Sequence, residues 1–388
     1  MLDTIGARDA ALGDDLPYRA DAWEQVQRGE RPVGDELADA FFHLARVEER
    51  GAPRDAHGRF LASASCLDPL DPPLERLRAR LGVEAPRWGG SRFAVALTHD
   101  VDVPWRWTRV GLRGGAARLK DALVTRRGRA ALREAGALAA APFHKVRRTD
   151  PWWSFDRILS GEAARNVRST FFVMGGHAHR ADGPSPLTYE RLRPRLVETI
   201  RAGGGEVALH GSYAAAEMPE RLRAERGVLT SLGAAAVGHR YHYLRADPHR
   251  NLSAVADAGF AYDSSLGFPD AAGFRAGIAH PFRPWDLARE APLDLIEIPL
   301  AAMDVTFGEP RYLGLSPRQA EPRLNALLDW GAANGGGFAL LWHNEWFDRS
   351  THAGWGELYF RIVEGVQARG GACVNAGELA SEARAWLR

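Results

Sequence analysis

Cysteine is scarce in this chain of 388 residues: Cys66 and Cys373 are the only two, far apart and without a metal-ligand pattern around either. Two such thiols give no disulfide framework, which fits a reducing compartment. The opening Met1-Leu2-Asp3-Thr4-Ile5 lacks the basic and apolar regions of a signal peptide. No run of about 18 apolar residues occurs, so no membrane-spanning helix is expected. An excess of one charge is missing too. The 50 Lys and Arg stand against 49 Asp and Glu, which argues against a polyelectrolyte partner for the chain as a whole. These absences predict a soluble, cytoplasmic protein.

What remains is ordinary globular material. With 45% apolar and 26% charged residues, the chain can bury one large α/β domain and a smaller element. Residues 1–90 read as a mostly helical, irregular extension, with an apolar stripe at helical spacing over 38–47 and a turn-rich stretch over 53–73. A short helix starts at Pro73. His43 and His57 in this part read as surface or core histidines.

From residue 91 to 388 a unit repeats: short apolar strand, polar cluster, helical stretch. Strands are predicted at 93–98, 169–174, 206–209, 236–243, near 260–263, and at 295–300, 338–342 and 372–374. Helical patterns cover 189–201, 219–232 and 316–334. Strands alternating with helices imply a parallel sheet, and seven or eight of them favour a (β/α) barrel, complete or not, over an open doubly wound sheet. The polar residues fall at strand C-termini, where such a barrel gathers its chemistry on one face.

An insert at 105–149 carries twelve Arg or Lys against Asp121 and Glu134, and its Ala/Leu-rich remainder predicts helix. It reads either as a solvated helix face or as a contact surface for an anionic substrate or acidic lipid headgroups, aided by Trp105 and Trp107. Nucleic acid is disfavoured, since the rest of the chain is net acidic and holds no nucleic-acid motif. No obligate protein partner is implied.

The chain is organised around Phe93-Ala94-Val95-Ala96-Leu97-Thr98-His99-Asp100-Val101-Asp102, an apolar strand that ends in ionisable groups. Such groups are costly to bury unless paired or metal-bound. Asp100 and Asp102, two residues apart, point the same way and can divide the labour of base and metal ligand. His210, just beyond another strand and followed by Gly211, is a candidate imidazole ligand. In Gly238-His239-Arg240-Tyr241-His242-Tyr243, alternation puts Arg240 and His242 on one face, with Arg240 placed to orient a carboxylate. His343, closing the apolar strand that ends at Trp342, suits a general acid. The segment 273–282 has no regular pattern and reads as a loop over the strand-end face, His280 included.

On these residues the sequence resembles the polysaccharide deacetylases of the NodB-homology type, carbohydrate esterase family four. Thr98-His99-Asp100-Val101-Asp102 is similar to the family's first motif, Thr-Phe-Asp-Asp-Gly, in the His-Asp-Val-Asp form of a divergent bacterial branch. Ser169-Thr170-Phe171-Phe172-Val173 resembles its Ala-Thr-Phe-Phe-Val strand, and Leu209-His210-Gly211-Ser212-Tyr213 its second motif. Asp263-Ser264-Ser265 is similar to its Tyr-Asp-Ser segment, and Leu340 to His343 to its last motif. Residues 38–65 also resemble the segment that precedes the catalytic domain in that branch.

The resemblance implies a deformed (β/α)7 barrel over 91–388 and a divalent metal, usually zinc. It implies Asp100 as catalytic base and His343 as general acid, with Arg240 holding the base. Two positions depart from the family pattern: Val101 stands where its metal Asp follows the base, and Ala214 where its second metal His stands. Asp102, His210 and His242 are therefore the expected ligands, with His99 as reserve, because a catalytic zinc usually has three protein ligands and a water. His99, Tyr213, Asp263 and Trp342 are the expected substrate contacts. The implied reaction is hydrolysis of an acyl group on the nitrogen of a sugar, on a carbohydrate that is anionic or lipid-linked. The alternatives are a metal-free hydrolase of another C–N bond and a degenerate barrel that only binds carbohydrate.

Overall fold

Nine consecutive buried residues, Phe93–Val101, form strand β1 at the centre of the sheet. A strand covered on both faces calls for an unbroken apolar run, which this segment supplies as far as Leu97. The computed structural model describes residues 19–387. These make an α/β fold in which helices surround a curled, parallel half-barrel sheet. After β1 come β2 (Thr170–Met174), β3 (Glu206–Gly211), β4 (Gly238–Tyr241), β5 (Tyr262–Asp263), β6 (Ile296–Glu297), β7 (Leu300–Met303) and β8 (Gly336–Leu341). They lie in the order β6-β5-β4-β3-β2-β1-β8-β7, every neighbour parallel. β9 (Ala372–Val374) pairs with the first half of β1 beside that row.

Before the sheet stand α1 (Ala20–Arg28), α2 (Glu36–Leu44) and α3 (Pro73–Arg80). The basic insert is a helical hairpin, α4 (Arg109–Val124) and α5 (Gly128–Arg147). The remaining helices are α6 (Phe155–Ala163), α7 (Pro186–Ala202), α8 (Arg221–Ser231), α9 (Asn251–Asp257), α10 (Asp304–Gly308), α11 (Pro317–Asn334), α12 (Trp355–Ala368) and α13 (Ala376–Trp386). The larger core cluster joins one face of the sheet to α6, α7, α11 and α12. On the concave face small residues (Ala94, Ala96, Ala208, Ala339) leave room for α13, which fills one end with Leu379, Ala380 and Ala383. Glu206 fixes that helix: its carboxylate accepts from the Gly377 backbone at 2.9 Å and from the Tyr262 hydroxyl at 2.9 Å. The opposite end, where the strands finish, stays open.

Several expected boundaries shift, each for a local reason. The strand expected over 236–243 ends at Tyr241, because Tyr243 and Leu244 take left-handed backbone angles, φ 62° and 54°. The strand expected over 295–300 is broken at Ile298-Pro299, where proline has no N–H for the ladder. Gly238 is required by close packing, since a Cβ there would lie 1.9 Å from the Tyr262 ring. The segment 273–282 is irregular, as expected, but it does not lie over the strand ends. It is buried at the start of β8, where the Ala279 carbonyl accepts from the Gly337 backbone at 2.8 Å. His280 there sits 3.3 Å from the Trp88 indole nitrogen and 3.3 Å from Glu75. The N-terminal part is tied to this segment by Glu49 and Arg275, fully buried and 2.7 Å apart. Among the described residues no helix is long and apolar enough to cross a membrane.

Candidate active site and metal centre

Strand alternation decides what faces the open end. Thr98, Asp100 and Asp102 lean to the concave side of β1, while His99 leans to the helices. Asp102 follows β1, His210 lies in β3 and His242 follows β4. Asp102 Oδ1 lies 3.2 Å from His210 Nε2, and Asp102 Oδ2 lies 3.4 Å from His242 Nε2. One donor atom from each of the three falls within 4.8 Å of the others.

The histidine tautomers follow from their second nitrogens. His210 Nδ1 sits 3.0 Å from the Arg240 carbonyl, which can only accept, so Nδ1 carries the proton. His242 Nδ1 faces the Asp182 carboxylate at 3.2 Å in the same way. Both Nε2 atoms then point at Asp102, His210 with a lone pair and His242 with the proton a metal would displace, an arrangement in which outer partners orient metal-binding imidazoles. Asp102 Oδ1 is buried with no hydrogen bond. A lone pair facing a lone pair at 3.2 Å is the contact a shared divalent cation relieves. Two imidazoles and one carboxylate fit zinc or another first-row divalent ion. Without a cation, burial opposes charge on His242, yet Asp102 and Asp182 outweigh it and push its pKa up to about 9. Asp102 is held well below the usual carboxylate range, against its burial, by His242 first and by His343.

Asp100 stands beside this trio. Its Oδ1 accepts from Arg240 Nη1 at 2.8 Å, and its Oδ2 is 3.6 Å from His210 Nε2. Arg240 is itself fixed at every nitrogen: Nε donates to the Ser264 carbonyl at 2.8 Å, Nη2 to Ser264 Oγ at 3.0 Å and Nη1 also to Thr98 Oγ1 at 3.0 Å. It lies over the Phe172 ring and does not reach the cavity, so its part is to position Asp100.

His343 completes the cluster, with Nε2 3.8 Å from Asp102 Oδ2. Asp304 grips it twice, through Nδ1 at 2.8 Å and through its backbone N–H at 2.6 Å. Burial disfavours the imidazolium, but Asp304, Glu345 and Asp102 raise its pKa well above the ordinary value. Asp304 begins α10 just after β7, and nothing in its surrounding sequence marks it as part of a site. Glu345, also on the cavity wall, is pushed up to about 8 by burial, with His343 pulling the other way.

Asp100, Asp102, His210, His242 and His343 all line one cavity of about 630 Å³, a size that suits a small ligand. Its aromatic wall is Trp152, Tyr243 and Trp346. Four guanidinium groups border it: Arg59, Arg118, Arg180 and Arg311. Arg59 comes from the N-terminal part and is held by Asp55 and the Tyr312 hydroxyl, each at 2.6 Å. Arg180 and Arg311 make no hydrogen bond or ion pair among the described residues.

The four expected substrate contacts lie elsewhere. His99 points to the helix side, 2.7 Å from the Trp342 carbonyl and 3.0 Å from Glu162, with its ring stacked on Phe171. It is out of reach as a reserve ligand. Asp263 is buried against His239 Nδ1 at 2.6 Å and the Ser265 backbone at 2.8 Å. Trp342 packs into the core between Trp355 and Tyr359. Tyr213 stands one layer behind Tyr243, stacked on His179, with its hydroxyl 3.2 Å from His57 Nδ1. No family model matches the chain, and no curated protein matches it either.

Proposed function

We propose that this protein is a metal-dependent hydrolase that removes an acyl group from the nitrogen of an acylated amino sugar. The observation that carries the reading is the Asp102–His210–His242 trio, its imidazole Nε2 atoms directed inward, with a carboxylate at 2.8 Å from a buried arginine on one side and a histidine–aspartate pair on the other. The fold reading agrees with it. If residues 296–303 count as one strand broken at Pro299, the row without β9 has the seven positions expected of a deformed (β/α)7 barrel.

A divalent ion at the trio would polarise the acyl carbonyl and lower the pKa of a water toward about 7. Asp100, oriented by Arg240, takes the proton from the attacking water. The water oxygen bonds to the acyl carbon, and the C–N bond breaks. The leaving nitrogen takes its proton from His343 Nε2, whose charge Asp304 stabilises. Products are a carboxylate and a free amine. The sugar ring would stack on Trp152 or Tyr243. Arg180 and Arg311 support a substrate that also carries an anionic group, since both reach the mouth without an acidic partner.

The test pairs chemistry with metal content. Acetate release from N-acetylated amino sugars is expected for wild type and lost in Asp100→Asn and His343→Gln, with the circular dichroism spectrum kept. Elemental mass spectrometry should find about one zinc or similar ion per chain in wild type and in Asp100→Asn, and none in Asp102→Ala or His242→Ala. Undiminished turnover in Asp100→Asn or His343→Gln, or metal retained in both ligand variants, overturns the assignment.

A further inference from the structure

The proposed chemistry leaves the α4–α5 hairpin unexplained. Of the eleven large apolar side chains that are exposed among the described residues, seven lie on it, including Leu112, Leu123 and Val124 on α4 and Leu132, Phe143 and Val146 on α5. On α5 these last three share one face, Phe143 about three turns beyond Leu132 and Val146 one turn further, while Ala131, Glu134, Ala137 and Ala141 are buried on the other. The helix is amphipathic on its buried side and again apolar on its outer side. Val146 is 83% exposed and Leu132 76%, well beyond what chance surface apolar residues explain when they share a ridge.

Charge surrounds the ridge. Arg113, Lys120, Arg133, Lys145 and Arg148 are exposed and have no acidic partner among the described residues, and Arg147 lies over the Phe143 ring at 4.2 Å. The insert's two acids are already taken, Asp121 by Arg127 and Glu134 by Arg106 and Arg118. The tryptophans are not part of this surface: Trp105 packs on Trp153, and Arg106 lies over Trp107. A second copy of the chain is a poor occupant, because it would set one strongly basic ridge against another. A surface that is anionic, extended and able to take apolar side chains between its charges fits both features.

We propose that the α4–α5 hairpin docks on an anionic bilayer, with Leu132, Phe143 and Val146 entering the headgroup region and the surrounding arginines and lysines on the phosphates. The hairpin also gives Arg118 and Glu134 to the cavity wall, Glu134 from the face of α5 opposite the ridge, so docking holds the cavity one helix diameter, roughly 10 Å, from the headgroups. The substrate is then a sugar carried on a lipid, a step that rests on the proposed deacylation whereas docking itself does not.

The experiment is co-sedimentation of the full chain with vesicles of phosphatidylcholine alone or with one third phosphatidylglycerol. Binding is expected only to the anionic vesicles, and it should fail in about 1 M salt, where the Debye length is about 3 Å. The double variants Lys120→Glu/Arg133→Glu and Phe143→Asp/Val146→Asp should each bind more weakly by about 100-fold or more, with elution volume and circular dichroism unchanged. Lys120→Gln/Arg133→Gln should fall between the charge-reversed pair and wild type, a gradation that misfolding does not produce. Wild type left in the supernatant with anionic vesicles, or bound equally in every variant, overturns the proposal. Because the readout contains no catalysis, a failed deacylation assay and a failed docking assay are separate results.

Discussion

Asp304 shows how one carboxylate can decide the role of another residue. It holds His343 by ring and backbone together, fixing both the tautomer and the direction of Nε2. In the proposed reaction Asp304→Asn leaves the substrate contacts in place and weakens only the imidazolium. kcat is therefore expected to fall by about 100-fold or more with KM little changed. The sign of the pH effect follows from the raised His343 pKa. Without the anion the acid form is lost at lower pH, so the alkaline limb of the kcat profile moves down. A profile and kcat equal to wild type would remove Asp304 from the mechanism. The sequence marks Asp100, Asp102, His210 and His343 because each lies at the end of an apolar strand, and His242 because alternation puts it on one face with Arg240. Asp304 was hidden because it opens a helix after a strand that Pro299 interrupts. His99, Asp263 and Trp342 carried the same strand-end signature as the true lining residues, and alternation alone sends them to the other face.

Strands and helices were legible wherever the apolar run was long. β1, β8, α7 and α11 sit within a few residues of their patterns, since a buried parallel strand and an amphipathic helix each leave a period that needs no partner to read. β5 and β6, two residues each, exist only because they pair with neighbours, so their sequences say little. The N-terminal helices pack through apolar residues such as Leu44, Leu74 and Leu77, but the buried charges that pin them to the main domain left no pattern to read. Glu75 of α3 accepts from the Ala279 backbone at 3.1 Å and from Arg78 at 2.8 Å, and faces His280. Against its burial, His280 and Arg78 bring its pKa from 4.5 down to about 2. A depressed carboxylate contributes stability that is present above its unfolded pKa and lost as pH falls through the folded one. Glu75→Gln should therefore cost about 3 kcal/mol at pH 7, and the gap to wild type should narrow steadily as pH falls from 4.5 toward about 2. Urea unfolding at pH 7 and pH 3.5 measures both; a gap that does not shrink assigns the loss to packing instead.

The sheet as a whole is a row whose ends, β6 and β7, meet only through the covalent link at Ile298-Pro299. The proposed ligands come from the ends of β1, β3 and β4, so an ion held there ties the centre of that row to its outer half across β2. Such an ion finds its three donors together only in the folded chain and stabilises it by mass action, by about 2.7 kcal/mol at a hundred times the dissociation constant. In a chain of this length that corresponds to a rise in Tm of about 2 °C or more. The gain depends on pH through His242. Its folded, metal-free pKa of about 9 exceeds the unfolded value, so its contribution without metal is complete below about 6.5 and fades as pH rises toward 9. A metal needs the neutral imidazole and must displace that proton, at a cost that falls as pH rises. Zinc added to chelator-stripped protein should accordingly raise Tm more at pH 8 than at pH 6.5. Asp100→Asn should keep this response, and His242→Ala should abolish it at both pH values. If His242→Ala responds like wild type, the ion sits elsewhere and β4 carries no ligand; if wild type does not respond at all, the trio is a hydrogen-bonded charge cluster that ties the strands without a metal.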